Sequence, residues 1–326
     1  MDLVFHLGLT KTGSSFLQHK VFDGKIHTLD RSIGYEQDVR IARQFQDFFL
    51  KSDRSAWRSS KGRSWFDKLN EGYDTSALIS HESLYDHIPF IVPDGRLIKE
   101  PELLSERLAS IGEFCWPHGN VKVFFFFRRQ ADWFASIYSH VAYTLSSPSQ
   151  EHFERSTREI LAGRAPGSHV VDYARLHEAL ANVLGPENVL ALPYEAFADR
   201  ETWGKIKNFS NLPIQFDRIQ FTDTSVNTKR QGDSGKWRPA SKITLLGRSR
   251  LAQSVQRMLP TSVSQSLKKR VKRTFEATWN ISMPDDLRDE IQSHYAISNQ
   301  RLSDICGVDL AVHQYFPPGP SNAFDG

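Results

Sequence analysis

Hydrophobic positions in the first part of the chain follow two different spacings. In some short segments apolar residues follow one another almost without interruption, as in buried strands: Leu3–Leu7, Ser76–Ile79, Val121–Phe127 and Val189–Pro193. Between these segments apolar residues recur every three or four positions, which is the spacing of one helix face. Strands that alternate with helices are typical of a parallel sheet with crossover helices. The pattern therefore predicts an α/β fold with a central parallel sheet.

The helical spacing predicts several helices packed on this sheet. Gln130–Leu145 carries one apolar stripe and follows the third strand almost without a loop, an arrangement in which α/β folds bind phosphate. A basic helical segment is predicted over Pro239–Phe275, with an interruption at Pro260, and Pro284 is predicted to open a final helix that runs to about Cys306. The other predicted helices contain Ile41 to Phe49, Leu103 to Ile111, Glu151–Gly163 and Asp172–Leu184.

The composition is that of a globular chain with a sizeable core. The 326 residues are 39% hydrophobic and 24% charged, and we expect them to form one large domain over residues 1–326. Cys115 and Cys306 exclude a disulfide scaffold and a cysteine-based metal site, and they favour a reducing cytoplasm. The chain starts without the pattern of a signal peptide, and Val121–Phe127, its most apolar run, is too short to cross a bilayer. We therefore expect a cytoplasmic protein.

The formal net charge of +3 conceals an uneven distribution. Residues 223–275 carry 13 Lys and Arg residues against Asp223 and Asp233, which gives this segment +11 and leaves −8 for the rest of the chain. Such an excess of cations attracts anionic polysaccharides, anionic membrane surfaces or nucleic acid, or else forms a solvated helix face. Aromatic residues are sparse in the segment, which disfavours stacking on single-stranded nucleic acid. We expect a basic helical insertion or lid here, and no nucleic acid partner.

A glycine-rich loop follows the first predicted strand. It reads Gly8-Leu9-Thr10-Lys11-Thr12-Gly13-Ser14-Ser15, and its two glycines have the spacing of a phosphate-binding loop. In a nucleotide triphosphatase the next two residues are Lys and Ser/Thr, but here both are serines and the lysine, Lys11, lies inside the loop. Helix capping alone would also account for one of the serines. Because a strand precedes the loop and a helix follows it, we favour an anion site that does not bind Mg-ATP.

A second cationic motif follows the strand Val121–Phe127. The strand ends in Arg128-Arg129, where a triphosphatase has the Asp that organises magnesium. A cation in this place favours an anion held directly by guanidinium and disfavours metal-assisted phosphoryl transfer. Ser136 follows Arg128 by about two helical turns, so its hydroxyl is placed to share that anion. The alternative is a solvated arginine pair that protects the strand from aggregation.

Together these residues resemble the sulfotransferases that use 3′-phosphoadenosine 5′-phosphosulfate (PAPS) as donor. Thr10 to Ser15 is similar to the 5′-phosphosulfate loop of that family, and Arg128 to Ser136 is similar to its 3′-phosphate motif, with the same interval between Arg and Ser. The resemblance implies that Lys11 and the loop bind the 5′-phosphate and sulfate while Arg128 and Ser136 hold the 3′-phosphate. It also implies a three-layer α/β/α fold of the P-loop nucleotide-kinase type, release of 3′-phosphoadenosine 5′-phosphate (PAP), and no metal.

Further stretches resemble bacterial members of the carbohydrate-sulfotransferase type. They are Pro193 to Phe197 and His294 to Asn299, so the resemblance covers most of the chain except the basic segment. Small-molecule members have an Arg-Lys-Gly loop near the end of the chain that touches the 3′-phosphate. Lys229 to Gly232 resembles this loop only weakly. The acceptor implied by the resemblance is a hydroxyl of a carbohydrate or glycolipid.

Two neighbouring residues compete for the role of general base. The strand Ser76–Ile79 leads into Ser80-His81-Glu82-Ser83, at the end of the strand where parallel sheets present their chemistry. Small-molecule sulfotransferases have a His shortly after such a strand, and several glycan-sulfating members have a Glu. The resemblance places Glu82 at that position, so we favour Glu82 as the base, with His81 as the second candidate. A helix-capping Glu82 beside an incidental His81 is the structural alternative.

Two other classes of protein remain open at this stage. A P-loop nucleotide kinase is opposed by the serines after Gly13 and by Arg128 in place of the Asp. A catalytically silent PAPS- or PAP-binding module is opposed only by the joint presence of Glu82 and Lys11. The basic residues 229–273 are expected either to contact an anionic glycan or the inner face of an anionic membrane, or to be merely solvated. Loop 86–100 and the helix near Glu151–Gly163 are the expected acceptor-binding regions.

Overall fold

The computed structural model describes residues 2–22, 32–34, 39–70, 76–82, 84–85, 89–90, 100–165, 167–212, 236–237 and 280–317. Three regions of the sequence analysis lie outside the described residues. They are the predicted basic helix over 239–275, the stretch 229–232 that is weakly similar to a family loop, and most of loop 86–100. The expectations for those segments stay predictions.

The centre of the fold is a five-stranded parallel sheet with the order β2-β3-β1-β4-β5. Its strands are β1 (Leu3–Leu7), β2 (Ser32–Gly34), β3 (Ala77–His81), β4 (Val121–Phe127) and β5 (Val189–Pro193). The predicted bounds of β1, β4 and β5 are confirmed. Strand β3 is shifted towards His81, because Ser80 and His81 continue the ladder with β1 despite their polar side chains. The edge strand β2 was not predicted, since its three residues contain a single apolar side chain.

Alternate residues of the strands face two separate hydrophobic layers, as the pleat of a strand requires. Odd-numbered residues of β1 and β4 join one core cluster, and Val4, Phe124 and Phe126 join the other. The first layer is covered by helices that include α6 (Pro101–Cys115), α7 (Gln130–Val141) and α9 (Tyr173–Leu184), and the second by the segment after β1 and by α10 (Arg200–Ser210). Helices on both faces of a parallel sheet give the three-layer α/β/α architecture that the sequence predicts. The helices are α1 (Ser14–Phe16), α2 (Val39–Lys51), α3 (Arg54–Arg58), α4 (Ser60–Ser64), α5 (Asp67–Asn70), α6 (Pro101–Cys115), α7 (Gln130–Val141), α8 (Gln150–Leu161), α9 (Tyr173–Leu184), α10 (Arg200–Ser210) and α11 (Asp285–Cys306).

Several helix ends differ from the predicted ones by a few residues. Helix α1 continues as a π-helical turn over Leu17–Val21, and α7 gives way to a 3₁₀ turn over Ala142–Thr144. Asp172 and Pro284 are the N-cap residues of α9 and α11 rather than their first helical residues. The Asp172 carboxylate accepts the N–H of Arg175, which satisfies one of the donors left open in the first turn. None of the described helices is long and apolar enough to cross a membrane.

A two-stranded antiparallel stem flanks residues 238–280, which include most of the basic segment. It pairs β6 (Lys236–Trp237) with β7 (Ile281–Ser282), and Trp237 and Ile281 are buried in the first core layer. Gln150, the first residue of α8, donates to the Ser282 carbonyl at 2.9 Å and accepts the Ser282 N–H at 3.0 Å. Trp237 and Ile281 therefore lie next to each other, close to α7 and α8.

Candidate active site

The loop between β1 and α1 is closed by hydrogen bonds onto one carbonyl oxygen. The Leu9 carbonyl accepts the Thr12 N–H at 3.3 Å, the Thr12 hydroxyl at 2.6 Å and the Ser14 hydroxyl at 3.2 Å. Both side chains are buried, so their donors shape the loop. Ser15, the next residue, is half-buried on α1. Of the two serines, Ser15 is therefore the better placed to present its hydroxyl to a ligand.

Two residues of this loop have left-handed backbone conformations. Lys11 has φ +68° and Gly13 has φ +88°. Gly13 caps α1, and its carbonyl accepts the N–H groups of Phe16 and Leu17. A positive φ is natural for glycine but costly for lysine, and strained residues of this kind are concentrated at functional sites. The loop thus holds Lys11 in a conformation that a simple capping turn does not require.

Contacts with Thr10 and Lys11 join the two predicted anion motifs. Arg128 Nη1 donates to the backbone carbonyl of Lys11 at 3.1 Å, and Trp133 Nε1 donates to the carbonyl of Thr10 at 2.8 Å. Ser136 is buried one turn beyond Trp133 on α7. Residues three positions apart share one helix face, so Ser136 lies on the side of α7 that carries the contact with the loop. Lys11 and Arg128, distant in sequence, therefore occupy one place at the carboxyl edge of the sheet.

The two adjacent arginines after β4 have different environments. The Arg128 guanidinium lies 5.2 Å from the centre of the Tyr194 ring, beside the loop. Arg129 instead lies 2.6 Å from a carboxylate oxygen of Asp132 and 3.5 Å from one of Glu195. Arg129 is thus part of an ion-pair cluster, which leaves Arg128 as the arginine of the loop. The pair is not merely a solvated strand end.

Glu82 lies against the start of the same loop. It is the first residue after β3 and is half-buried, and a Cβ atom placed on Gly8 would be 2.9 Å from Glu82 Cγ. The Gly8 N–H donates to the His81 carbonyl at 3.2 Å, which ties the loop to the end of β3. The His81 side chain is fully buried, on the same face of the strand as Ile79. Of the two candidate bases, Glu82 is the more exposed, and its side chain adjoins the loop.

A turn after β5 supports both motifs, and sequence reasoning gave its residues no role. A Cβ on Gly13 would be 3.0 Å from ring atoms of both Tyr194 and Phe197. Tyr194 also stacks on Arg128, and Glu195 binds Arg129. The only sequence signal for this turn was the resemblance of Pro193 to Phe197. The sequence pattern places Trp133 in the apolar stripe of its helix. The pattern does not predict the contact of its indole N–H with the loop.

The second family-like stretch, His294 to Asn299, is hydrogen-bonded to the start of α7. Gln130 Nε2 donates to the Asn299 side-chain oxygen at 2.7 Å, and Asn299 Nδ2 donates to the Tyr315 carbonyl at 3.0 Å. All three residues are buried. This amide network links α11 and the C-terminal segment to the first residue of α7.

The side chains gathered at the loop are of the types that can bind an anion. Within the described part of the chain, His, Cys, Asp and Glu residues form no group of three that could hold a metal ion. Burial raises the pKa of the Cys115 thiol to about 11 and that of the Cys306 thiol to about 12, so neither is a thiolate near neutral pH. The residues gathered at the loop are a lysine, an arginine, hydroxyl groups and one carboxylate.

One surface cavity, of about 580 Å³, lies away from the loop and is lined by Arg54, Arg58, Arg63, Glu113 and Phe114. Helix α6 ends beside this cavity and the chain then enters β4, so the cavity belongs to the amino end of that strand. The candidate site, by contrast, is at the carboxyl ends of β1, β3 and β4.

Comparisons with known proteins give limited information. No model of a known protein family and no curated protein matches the chain. Among solved structures, the chain is similar to the crystal structure of a sulfotransferase from Alicyclobacillus acidocaldarius, with 14% sequence identity and a TM-score of 0.48. The match covers 96% of this chain and 99% of that one. Because identity and TM-score are both low, we infer the function from the residues of this chain and not from this similarity.

Proposed function

We propose that the protein is a sulfotransferase that moves the sulfonate group of PAPS to a hydroxyl acceptor and releases PAP. The observation that carries the proposal is the 3.1 Å hydrogen bond from Arg128 to the Lys11 carbonyl, which unites the two anion motifs. A donor with phosphate groups at its 5′ and 3′ positions needs two such motifs side by side. The half-buried Glu82 next to the same loop adds the one group that donor binding alone does not need.

The donor would be held by two sets of charge-assisted hydrogen bonds. Lys11, the loop from Thr10 to Gly13 and the Ser15 hydroxyl would bind the 5′-phosphosulfate, and Arg128 with Ser136 would bind the 3′-phosphate. Thr12 and Ser14 would contribute by shaping the loop, since their hydroxyls are bonded to Leu9. Each charge-assisted hydrogen bond is worth roughly 1.5–3 kcal/mol.

The reaction would proceed by in-line transfer. The acceptor oxygen forms a bond to sulfur while the bond between sulfur and the bridging oxygen of the 5′-phosphate breaks. Glu82 takes the acceptor proton, and the Lys11 ammonium offsets the negative charge that develops on the leaving phosphate. We assign the base to Glu82 rather than His81 because His81 is fully buried in β3.

The acceptor we propose is a hydroxyl of a carbohydrate or glycolipid. The resemblance of the sequence to carbohydrate sulfotransferases supports this class. The stem of β6 and β7 supports an acceptor with negative charge, because it sets both ends of residues 238–280, which carry ten Lys and Arg residues against Glu276, beside α7 and α8. Such a charge attracts an anionic glycan, or an anionic membrane surface that carries a glycolipid.

Replacement of Glu82 tests the assignment of the base. We expect Glu82→Gln to lower the rate of sulfonate transfer by on the order of 10²- to 10⁴-fold, because the amide cannot accept the proton, and to leave PAP affinity unchanged. Transfer is measured with labelled PAPS on a panel of carbohydrate acceptors, and PAP affinity by calorimetry. Glu201→Gln, an exposed carboxylate on α10, is the matched control. Wild-type transfer by Glu82→Gln would show that another group takes the proton.

A further inference from the structure

The peptide group between Arg128 and Arg129 is held by a carboxylate from the turn after β5. The N–H of Arg129, the N-cap residue of α7, donates to Glu195 Oε1 at 3.2 Å. Because a peptide group is planar, fixing this N–H also fixes the carbonyl of Arg128 and the direction in which the chain leaves Arg128. Glu195 therefore acts on the backbone of the residue that reaches the loop.

Glu195 is in turn held by the C-terminal segment. The Tyr315 hydroxyl donates to Glu195 Oε2 at 2.7 Å, and the Tyr315 ring packs edge-on against Phe127, the last residue of β4. Tyr315 is 1% exposed. Next to it, Gln314 accepts a hydrogen bond from Arg129 Nη1 at 2.8 Å. Residues close to the end of the described chain thus fix a carboxylate beneath the turn between β4 and α7.

The short turn after β5 makes different contacts with the two arginines. Tyr194 offers its ring face to the Arg128 guanidinium, and the next residue, Glu195, takes the backbone and part of the guanidinium of Arg129. Asp132, whose side chain is 3% exposed, completes the cluster around Arg129. Two carboxylates thus face the guanidinium of Arg129, so moving this guanidinium to the loop would leave negative charge unpaired in a mostly buried place.

We propose that Glu195, held by Tyr315, is a positioning residue that directs Arg128 rather than Arg129 to the donor loop. The proposal rests on the proposed function, because the ligand of Arg128 is taken to be the 3′-phosphate of the donor. Glu195 does not touch that ligand. It lowers the number of conformations open to Arg128 before the ligand arrives, and a preorganised group binds more tightly.

Two conservative variants test the role of Glu195 in donor binding. Glu195→Gln removes the charge at nearly constant shape, and Tyr315→Phe removes one hydroxyl while keeping the ring against Phe127. We expect the dissociation constant of PAP to rise on the order of tenfold for Glu195→Gln and about threefold for Tyr315→Phe, as for the loss of one charge-assisted hydrogen bond or its support. We expect kcat at saturating donor to change little.

Matched controls separate positioning from general stability. Tyr295→Phe removes another buried hydroxyl, which donates to the Ser168 carbonyl at 3.0 Å, and Glu290→Gln weakens an exposed pair with Arg158. Both controls should leave PAP affinity unchanged. In an Arg128→Ala background, Glu195→Gln should have no further effect on PAP affinity, because a positioning residue acts only through its target. An equal loss of affinity with and without Arg128 would overturn the proposal.

A measurement without ligand keeps this proposal apart from the proposed function. The Nε–H signal of Arg128, assigned by its loss in Arg128→Ala, reports the order of that guanidinium in the free protein. We expect it to be rigid in the wild type and mobile in Glu195→Gln. An unchanged signal would refute the positioning role even if PAP binds. Failure of the wild type to bind PAP would contradict the proposed function, and the signal alone would then decide the role of Glu195.

Discussion

Gly13 shows how much of the candidate site depends on single residues. Its φ of +88° lies in the region that side chains disfavour, and an added Cβ would come within 3.0 Å of the rings of Tyr194 and Phe197. The positive φ and the close approach of the two rings each favour glycine at this position, which lies in the same loop as Lys11. Any side chain at this position would push the loop away from the turn after β5.

We therefore predict that Gly13→Ala is destabilising and lowers PAP affinity. The free energy of unfolding should fall by about 1–3 kcal/mol, from the strained φ together with the crowding. Gly163→Ala is the matched control, because Gly163 also has a positive φ, of +69°, but an added Cβ there meets nothing within 4 Å. Urea unfolding should show a smaller loss for Gly163→Ala, and calorimetry should show no change in its PAP affinity. Equal effects of the two variants on PAP binding would argue against a donor loop at Gly13.

Some of the site could be predicted at the scale of residues, and some could not. The glycine spacing and the position of Lys11 follow from local sequence, because the loop closes on itself through Leu9. The choice between Arg128 and Arg129 does not, because it depends on Tyr194 and Glu195 after another strand and on the C-terminal segment. Neighbouring arginines look alike in a sequence, and only the partners folded around them distinguish their roles.

At the scale of elements, a row of buried, hydrogen-bonded polar side chains links neighbouring strands of the sheet near the loop. His6 Nδ1 is 2.8 Å from the Ser80 hydroxyl, which also accepts a hydrogen bond from Gln18 at 3.3 Å. The His6 ring stacks on Phe124 and meets Phe22 edge-on. These contacts connect β1, β3 and the helical segment after the loop. Burial lowers the pKa of His6 to about 3, so the ring is neutral in the folded protein at ordinary pH.

The low pKa of His6 predicts a loss of stability in mild acid. In the unfolded chain the pKa returns to about 6.5, so between pH 6.5 and 3 the unfolded state binds a proton that the folded state does not, and stability falls as the pH falls through this window. At pH 5 this amounts to about 2 kcal/mol. His6→Phe keeps a ring in the cluster and should lose less stability than the wild type between pH 7 and pH 5 in denaturant titrations. His118→Gln, at an exposed position, should behave as the wild type. A parallel pH dependence of His6→Phe and wild type would show that His6 is not the group responsible.

Prediction of the elements succeeded where burial is continuous. Strands β1, β4 and β5 have nearly uninterrupted apolar runs, since the strands of a parallel sheet are covered on both faces. The end of β3 was missed because Ser80 and His81 are polar, and their burial depends on partners such as His6 and on the ladder with β1. The edge strand β2 has too few residues for a pattern to show. Polar residues inside a sheet are thus the main source of error here.

At the scale of the whole molecule, the segment with the largest positive charge is separate in sequence from the candidate donor site. The candidate donor cations, Lys11 and Arg128, lie in the part of the sequence with a net charge of −8, and the stem of β6 and β7 flanks residues 238–280, which hold most of the cations of the segment with +11. Net charge therefore gave no indication of the donor site. The site follows instead from the topology, which brings the ends of β1, β3 and β4 to one edge of the sheet.

The central claim is that one site holds a nucleotide through both its 5′ and its 3′ phosphate, and calorimetric titration of the full chain with PAP tests it most directly. We predict one PAP bound per chain with an affinity that EDTA does not change. Adenosine 5′-monophosphate (AMP) differs from PAP only in lacking the 3′-phosphate and should bind at least about tenfold more weakly, since it forfeits the charge-assisted contacts of Arg128, and Arg128→Ala should abolish the preference for PAP. Failure to bind PAP, or equal affinity for PAP and AMP in the wild type, would contradict the account.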